Sequence, residues 1–163
     1  MIKLQPISED NIEAVLELKA ATEFVAPNSY SLAQAYCSLL EHIKNGEPPR
    51  MPYAILNGDT VIGFAMMTFT IEDGEDEELV FDGDYFWISR FMIDESHQGK
   101  GYGKEAMASL IDLVKTNPMG YEAKYIYLSY EPGNIIAEKM YTSLGFKKSG
   151  QFLESEAITR LAV

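Results

Sequence analysis

The run HQGKGYGKEA, His97 to Ala106, holds three glycines, two lysines and a glutamine in ten residues. Successive backbone N–H groups at the start of a helix form a concavity of partial positive charge that suits a pyrophosphate. Glycine removes the Cβ that would hold such a group away, and Lys100 and Lys104 add mobile positive charge. Three phosphate motifs compete for this run. A Walker A loop needs Gly, four residues, then Gly-Lys-Ser/Thr, but the residue five before Gly103 is Gln98, and Lys104 is followed by Glu105. The dinucleotide pattern G-x-G-x-x-G/A is met formally by Gly101, Gly103 and Ala106, yet its first glycine belongs at a strand's end. Here Ile93, the end of the preceding apolar run, lies eight residues upstream of Gly101, across the polar DESHQGK. The pattern Q/R-x-x-G-x-G/A fits at Gln98, Gly101 and Gly103.

A second constellation follows. Asn134 comes after Pro132-Gly133, and Tyr141 lies seven residues on, two helical turns, so one helix face carries both. Taken alone, Asn134 is an N-cap and Tyr141 a packing residue. Cys37 and His42 are five residues apart and diverge on a helix, so they form no nucleophile–base pair. Cys37 is the only cysteine, which excludes an internal disulfide. Without CxxC, and with only His42 and His97, no zinc site is expected; a reducing, cytoplasmic setting is the default.

The elements that must position these residues follow from periodicity and breakers. Ile2–Gln5 reads as a strand, and Ser8 as the N-cap of a helix with Ile12, Val15, Leu16 and Ala20 at helical spacing. A helix from about Leu32 to Lys44 puts Tyr36, Leu39, Leu40 and Ile43 on one face and stops at Gly46-Glu47-Pro48-Pro49. Tyr53–Leu56 and Val61–Thr70 flank Asn57-Gly58-Asp59, the strongest hairpin signal in the chain. Tyr85–Ile93 is an aromatic-rich strand. The glycine loop then opens a helix with Met107, Leu110, Ile111 and Val114 facing inward, closed by Asn117-Pro118. A strand at Lys124–Tyr130, a helix at Asn134–Leu144 and one or two strands from Phe146 complete the order. No repeat or linker interrupts it, so residues 1–163 are expected to form one mixed-sheet α/β domain.

Thirteen basic against twenty-five acidic residues give a net charge of −12, a field that repels nucleic acid and anionic membranes and attracts cations. EDGEDEE, Glu72 to Glu78, concentrates six carboxylates in an expected solvated hairpin loop. No stretch approaches the roughly 18 apolar residues of a membrane span, and MIKLQPISEDNIEAV carries charge too early for a secretory signal.

The Gln98–Gly103 pattern, the element order and the later NIIAEKMYTSLGF, Asn134 to Phe146, together resemble the GNAT family, the GCN5-related N-acetyltransferases. The resemblance spans nearly the whole chain. It implies an α/β (α+β) fold with a central mixed, mostly antiparallel twisted sheet flanked by helices and splayed at the acetyl-CoA site. Acetyl-CoA would run along Phe91, Met92 and Ile93, with its diphosphate at Gln98, Gly99, Lys100, Gly101, Tyr102, Gly103 and Lys104. Asn134 and Ala137 would contact it from the next helix, with Tyr141 near the sulfur. In that place a phenol, pKa about 10, can protonate a departing thiolate of about 8.5. Some family members carry a glutamate base on the strand that here reads Ile88-Ser89-Arg90. That base is absent or replaced, and Glu23, Glu41, Glu72 or a water chain remain open.

FVAPNSYSLAQA, Phe24 to Ala35, and FWISRFMI, Phe86 to Ile93, resemble the family's bacterial spermine/spermidine acetyltransferases. A polyamine needs carboxylates spaced along a groove with aromatic faces between them. Glu23, Tyr30, Tyr36, Glu41, Tyr53, Glu72 and Trp87 are the candidates for binding a small cationic amine. The alternatives are a protein, peptide or other small-amine acceptor, or a non-catalytic acetyl-CoA sensor. A homodimer is left open by analogy with the family, and no metal is implied.

Overall fold

A computed structural model describes residues 1–21, 27–72, 78–116 and 120–163. In chain order the elements are β1 (Ile2–Pro6), α1 (Ile12–Glu17), α2 (Asn28–Asn45), β2 (Met51–Asn57), β3 (Thr60–Thr70) and β4 (Tyr85–Ile93). A 3₁₀ turn at Glu95–His97 leads into α3 (Tyr102–Thr116), followed by β5 (Tyr125–Tyr130), α4 (Ile135–Ser143), β6 (Lys147–Leu153) and β7 (Glu156–Ala162). The strands form a sheet in the order β1-β2-β3-β4-β5-β7-β6. β4 and β5 are parallel, and the other neighbours are antiparallel. The mixed, mostly antiparallel sheet expected from the sequence is therefore the one observed. The expected Asn117-Pro118 helix stop, and residues 73–77 of the acidic loop, lie outside the described residues.

Alternation along the strands divides the core between the two faces of the sheet. Ala65 and Met67 of β3 join Phe86 and Ile88 of β4 and pack under Met107, Leu110 and Val114 of α3 and Tyr141 of α4. Phe64 and Met66 point the other way and pack with Val15 of α1 and Ala35 of α2. Further along that second face, Tyr85, Tyr127 and Ile158 form a separate cluster roofed by Phe81, whose ring lies 4.4 Å from Tyr85 and 5.0 Å from Tyr127.

Two helices differ from their sequence expectation. α1 begins at Ile12, because Ser8 stays in the turn before it, where its N–H donates to Asn11 Oδ1 at 3.0 Å. It ends at Glu17 because the Lys19 backbone is taken by the segment after β4: its N–H donates to Asp94 Oδ2 at 2.8 Å and its carbonyl accepts from Glu95 N–H at 3.0 Å. α2 starts earlier than expected and ends at Gly46, whose positive φ of 77° and N–H bond to the His42 carbonyl at 2.8 Å close it. Its buried residues are Asn28, Ser31 and Ala35, while Tyr36, Leu39, Leu40 and Ile43 are exposed. Small side chains thus set the contact with the sheet. No helix among the described residues is long and apolar enough to cross a membrane.

Candidate active site

The site begins with a break in the sheet. β4 and β5 pair only from Tyr85↔Tyr125 to Trp87↔Tyr127. Beyond that point the β4 stretch 88–93 and the β5 stretch 128–130 diverge. The cause lies in β4, where Met67 pairs with Ile88 and Met66 with Arg90, leaving Ser89 as the extra residue of a β-bulge. A bulge bends its strand and increases the local twist. It also resets the side-chain alternation, so Phe91 and Ile93 return to the α3 face while Met92 faces α1 and α2. The spacing of FWISRFMI carries this signal, since Phe91 lies three positions after Ile88 rather than the two of strand alternation. The divergence leaves facing backbone edges unpaired to each other, which can serve an amide-containing ligand.

Past Ile93 the chain is pinned before it reaches the glycines. Asp94 accepts from Lys19 N–H and, through Oδ1, from Ser96 N–H at 3.0 Å and Ser96 Oγ at 2.5 Å. Partial burial works against its charge. The bonds from Lys19 and Ser96, with His97 beside it, outweigh that and pull its pKa down to about 2. Gln98 Nε2 donates to the Ile93 carbonyl at 3.0 Å, and Lys100 Nζ folds back to the Ser96 carbonyl at 2.9 Å. In this structure both side chains therefore hold the loop in shape. Gly99 and Gly101 have φ of 74° and 85°, and a Cβ on either would meet nothing within 4 Å. The loop's open side is therefore bare backbone. Lys104 N–H already bonds the Gly101 carbonyl at 3.1 Å, so the amides just before it are the orphan donors of the α3 terminus. Gly103 differs: its Cβ would lie 3.4 Å from Met140 Sδ and 3.7 Å from Ile93 Cγ1, so it admits the α3–α4 contact. Tyr102 packs against the α3-side core and Lys104 is exposed.

Asn134 caps α4 through Oδ1, which accepts from Ala137 N–H at 3.1 Å. Tyr141, two turns on, is buried with ring centroids 5.7 Å from both Tyr130 and Phe146. Burial foremost, with the Glu156 charge and Tyr130 adding, pushes its phenol up to about 12. Glu156 is absent from the sequence-level candidates. It sits at the start of β7, where its Oε2 accepts from Ser129 Oγ on β5. Only strand pairing, Tyr130↔Ala157 and Ser129↔Ile158, brings the two together across 27 residues.

The expected acceptor residues are not gathered as a group. Glu23 lies outside the described residues. Tyr30, Tyr36 and Glu41 are exposed along α2. Tyr53 is buried in the core on the α3 face, on the far side of the sheet from α2. Glu72 follows β3, its N–H donating to Asp84 Oδ1 at 3.0 Å, and Trp87 packs beside Phe81. Among the described residues no group of His, Cys, Asp and Glu is arranged to hold a metal.

Residues 12–146 match the model of the acetyltransferase (GNAT) family. The chain belongs to that family. This GNAT protein is 32% identical over 150 residues to a spermine/spermidine N(1)-acetyltransferase of Bacillus subtilis strain 168, covering 92% of this chain and 90% of the relative. In fold it resembles the aminoglycoside acetyltransferase AAC(6')-Ib solved with coenzyme A, with a TM-score of 0.72, 18% identity and coverage of 99% and 95%. It also resembles the PaiA N-acetyltransferase of Thermoplasma acidophilum with coenzyme A, with a TM-score of 0.66, 14% identity and coverage of 100% and 99%. The enzyme is an acetyl-CoA-dependent N-acetyltransferase. Its own residues fit that cosubstrate, with glycine backbone that borders open space at Gly99 and Gly101 and an opening between two strands.

Proposed function

We propose that this GNAT enzyme transfers the acetyl group of acetyl-CoA directly to a primary amine of a polyamine, of the spermidine/spermine class. The observation that carries this is the 32% identity, over 92% of the chain, to a protein named for that activity. The net charge of −12 supports it, since a field of that sign favours a polycation.

Acetyl-CoA supplies an activated acyl carbon and a sulfur leaving group. Gly99, Lys100, Gly101 and the first amides of α3 hold its diphosphate, a dianion-sized charge at a positive helix terminus. Phe91, Met92 and Ile93 offer backbone groups along the opened edge of β4. Tyr141 would offer its hydroxyl to the sulfur. With a pKa near 12 it keeps its proton throughout the neutral range and serves as a hydrogen-bond donor as negative charge gathers there. The role expected from the sequence, protonating the thiolate as its charge develops, is compatible with this raised pKa.

The test is an acceptor panel of spermidine, spermine, a monoamine of similar length, an aminoglycoside and a lysine-rich peptide, followed by release of free CoA thiol. Spermidine or spermine should show the highest kcat/KM. If the monoamine equals them at low salt, the polyamine assignment fails and an N-acetyltransferase for another amine remains.

A further inference from the structure

The reaction needs a group that takes a proton from the attacking nitrogen, and β4 supplies Ser89 and Arg90 where a carboxylate would be convenient. A carboxylate from another strand lies beside the diverged part of β5. Ile126, Leu128 and Tyr130 of β5 belong to the α3-side core, and Tyr127 belongs to the cluster on the other face, so alternation places Ser129 on that second face. Glu156 and Ile158 of β7 share it by the same rule, and the Ser129–Glu156 bond agrees. Among the described residues Ser129 is the one side chain hydrogen-bonded to this carboxylate. Tyr141 lies in the core on the opposite face, yet within reach of the Glu156 charge. The diverged part of β5 therefore has the phenol on one side and the carboxylate on the other.

We propose that Glu156, oriented by the Ser129 hydroxyl, is the carboxylate that receives the reacting amine and takes its proton as the C–N bond forms. This rests on the N-acetyltransferase reading and not on the acceptor being a polyamine. Reference values decide which proton it takes. Releasing the proton of an alkylammonium of about 10.4 to water at pH 7 costs about three and a half orders of magnitude, and a carboxylate is too weak a base to take it more readily. The first ammonium proton therefore leaves to water. Once the nitrogen lone pair bonds the acetyl carbon, its remaining protons become far more acidic, and one passes to Glu156 and then to water. The C–S bond breaks with its electron pair going to sulfur, which takes the Tyr141 phenolic proton, and water returns a proton to Tyr141. In sum, an ammonium and a thioester give an amide, a thiol and one proton. The titratable group that faces the carboxylate from a neighbouring element is Tyr141 on α4; Glu131, just after β5, accepts from Ser155 Oγ, and Lys148 of β6 pairs with Glu138.

The test uses Glu156→Gln and Glu156→Ala with whichever amine of the panel the wild type prefers. Both should lose on the order of 10²-fold in kcat/KM, while calorimetry shows coenzyme A affinity within about twofold of wild type and weaker binding of the amine to the coenzyme A-loaded protein. Added formate should restore at least about tenfold to Glu156→Ala, and chloride at equal concentration should not. Ser129→Ala should lose about five- to tenfold in the same direction, which keeps the test alive if the Glu156 variants fold poorly. Glu154→Gln, an exposed charge loss on the same hairpin, should retain activity. Wild-type kcat/KM in a folded Glu156→Gln protein, or no formate rescue, would overturn the proposal. Failure of polyamines in the panel would leave it standing.

Discussion

At the residue scale, the proposed chemistry concentrates on one buried side chain, Tyr141. Tyr141 is held by Tyr130, Phe146 and the α3-side core, so the sheet rather than the substrate fixes its position. Removing the oxygen leaves the ring and its packing in place. Tyr141→Phe should therefore lower kcat by about 10²–10⁴-fold while changing acetyl-CoA affinity little. Steady-state rates under conditions where chemistry limits turnover, together with calorimetry, check both halves. An unchanged kcat would reduce Tyr141 to a packing residue. Because burial raises its pKa to about 12, ionisation of this phenol should contribute nothing to the pH–rate profile between pH 7 and 9.

At the element scale, the loop between β4 and α3 does two separable jobs. Its glycines present backbone. Gly101→Val forces a β-branched residue to a φ of 85° and points it into the open cradle. Acetyl-CoA binding should weaken at least about tenfold, about 1.4 kcal/mol. Gly150→Val is the matched control, with a φ of 84° and equally open surroundings on β6, and it should leave that affinity unchanged. Asp94 does the other job, fastening the loop to the chain that follows α1. Its folded pKa, about 2, lies below the usual carboxylate value, so the charged form is the one that folding stabilises. That stability is fully present above about pH 4 and disappears as pH falls toward 2. Asp94→Asn should cost roughly 1–2 kcal/mol at pH 7, and the gap to wild type should narrow in urea titrations as pH falls from about 4 toward 2. A gap independent of pH would mean that the side chain acts by shape alone.

At the scale of the whole molecule, the net charge of −12 acts on the acceptor before any contact forms. Several ammonium groups gain more from that field than one. The kcat/KM advantage of spermidine over a monoamine should shrink as salt rises, because exposed charges are screened over about 8 Å at physiological ionic strength. Rates from low to high salt for both amines measure this directly. An advantage that ignores salt would locate selectivity in short-range contacts with the acceptor.

The glycine loop, the Asn134-to-Tyr141 spacing, the Asn57-Gly58 hairpin and the inward face of α3 were all legible in the sequence, because each is a local pattern of chirality, capping or helical period. α2 was only partly legible. Periodicity identified its apolar face, but packing against the sheet selected Asn28, Ser31 and Ala35, where close approach favours small side chains. α1 ended early through Lys19 bonding to residues 75 positions away, which no local rule contains. The proposed acceptor side was least legible. Tyr53 belongs to the far face of the sheet, and Glu156 meets Ser129 because β7 returns to lie beside β5. Spacing along the chain could place the glycine loop and the phenol, since each lies within one loop or one helix. The carboxylate opposite them depends on two strands coming into register, and that pairing was settled by the tertiary fold.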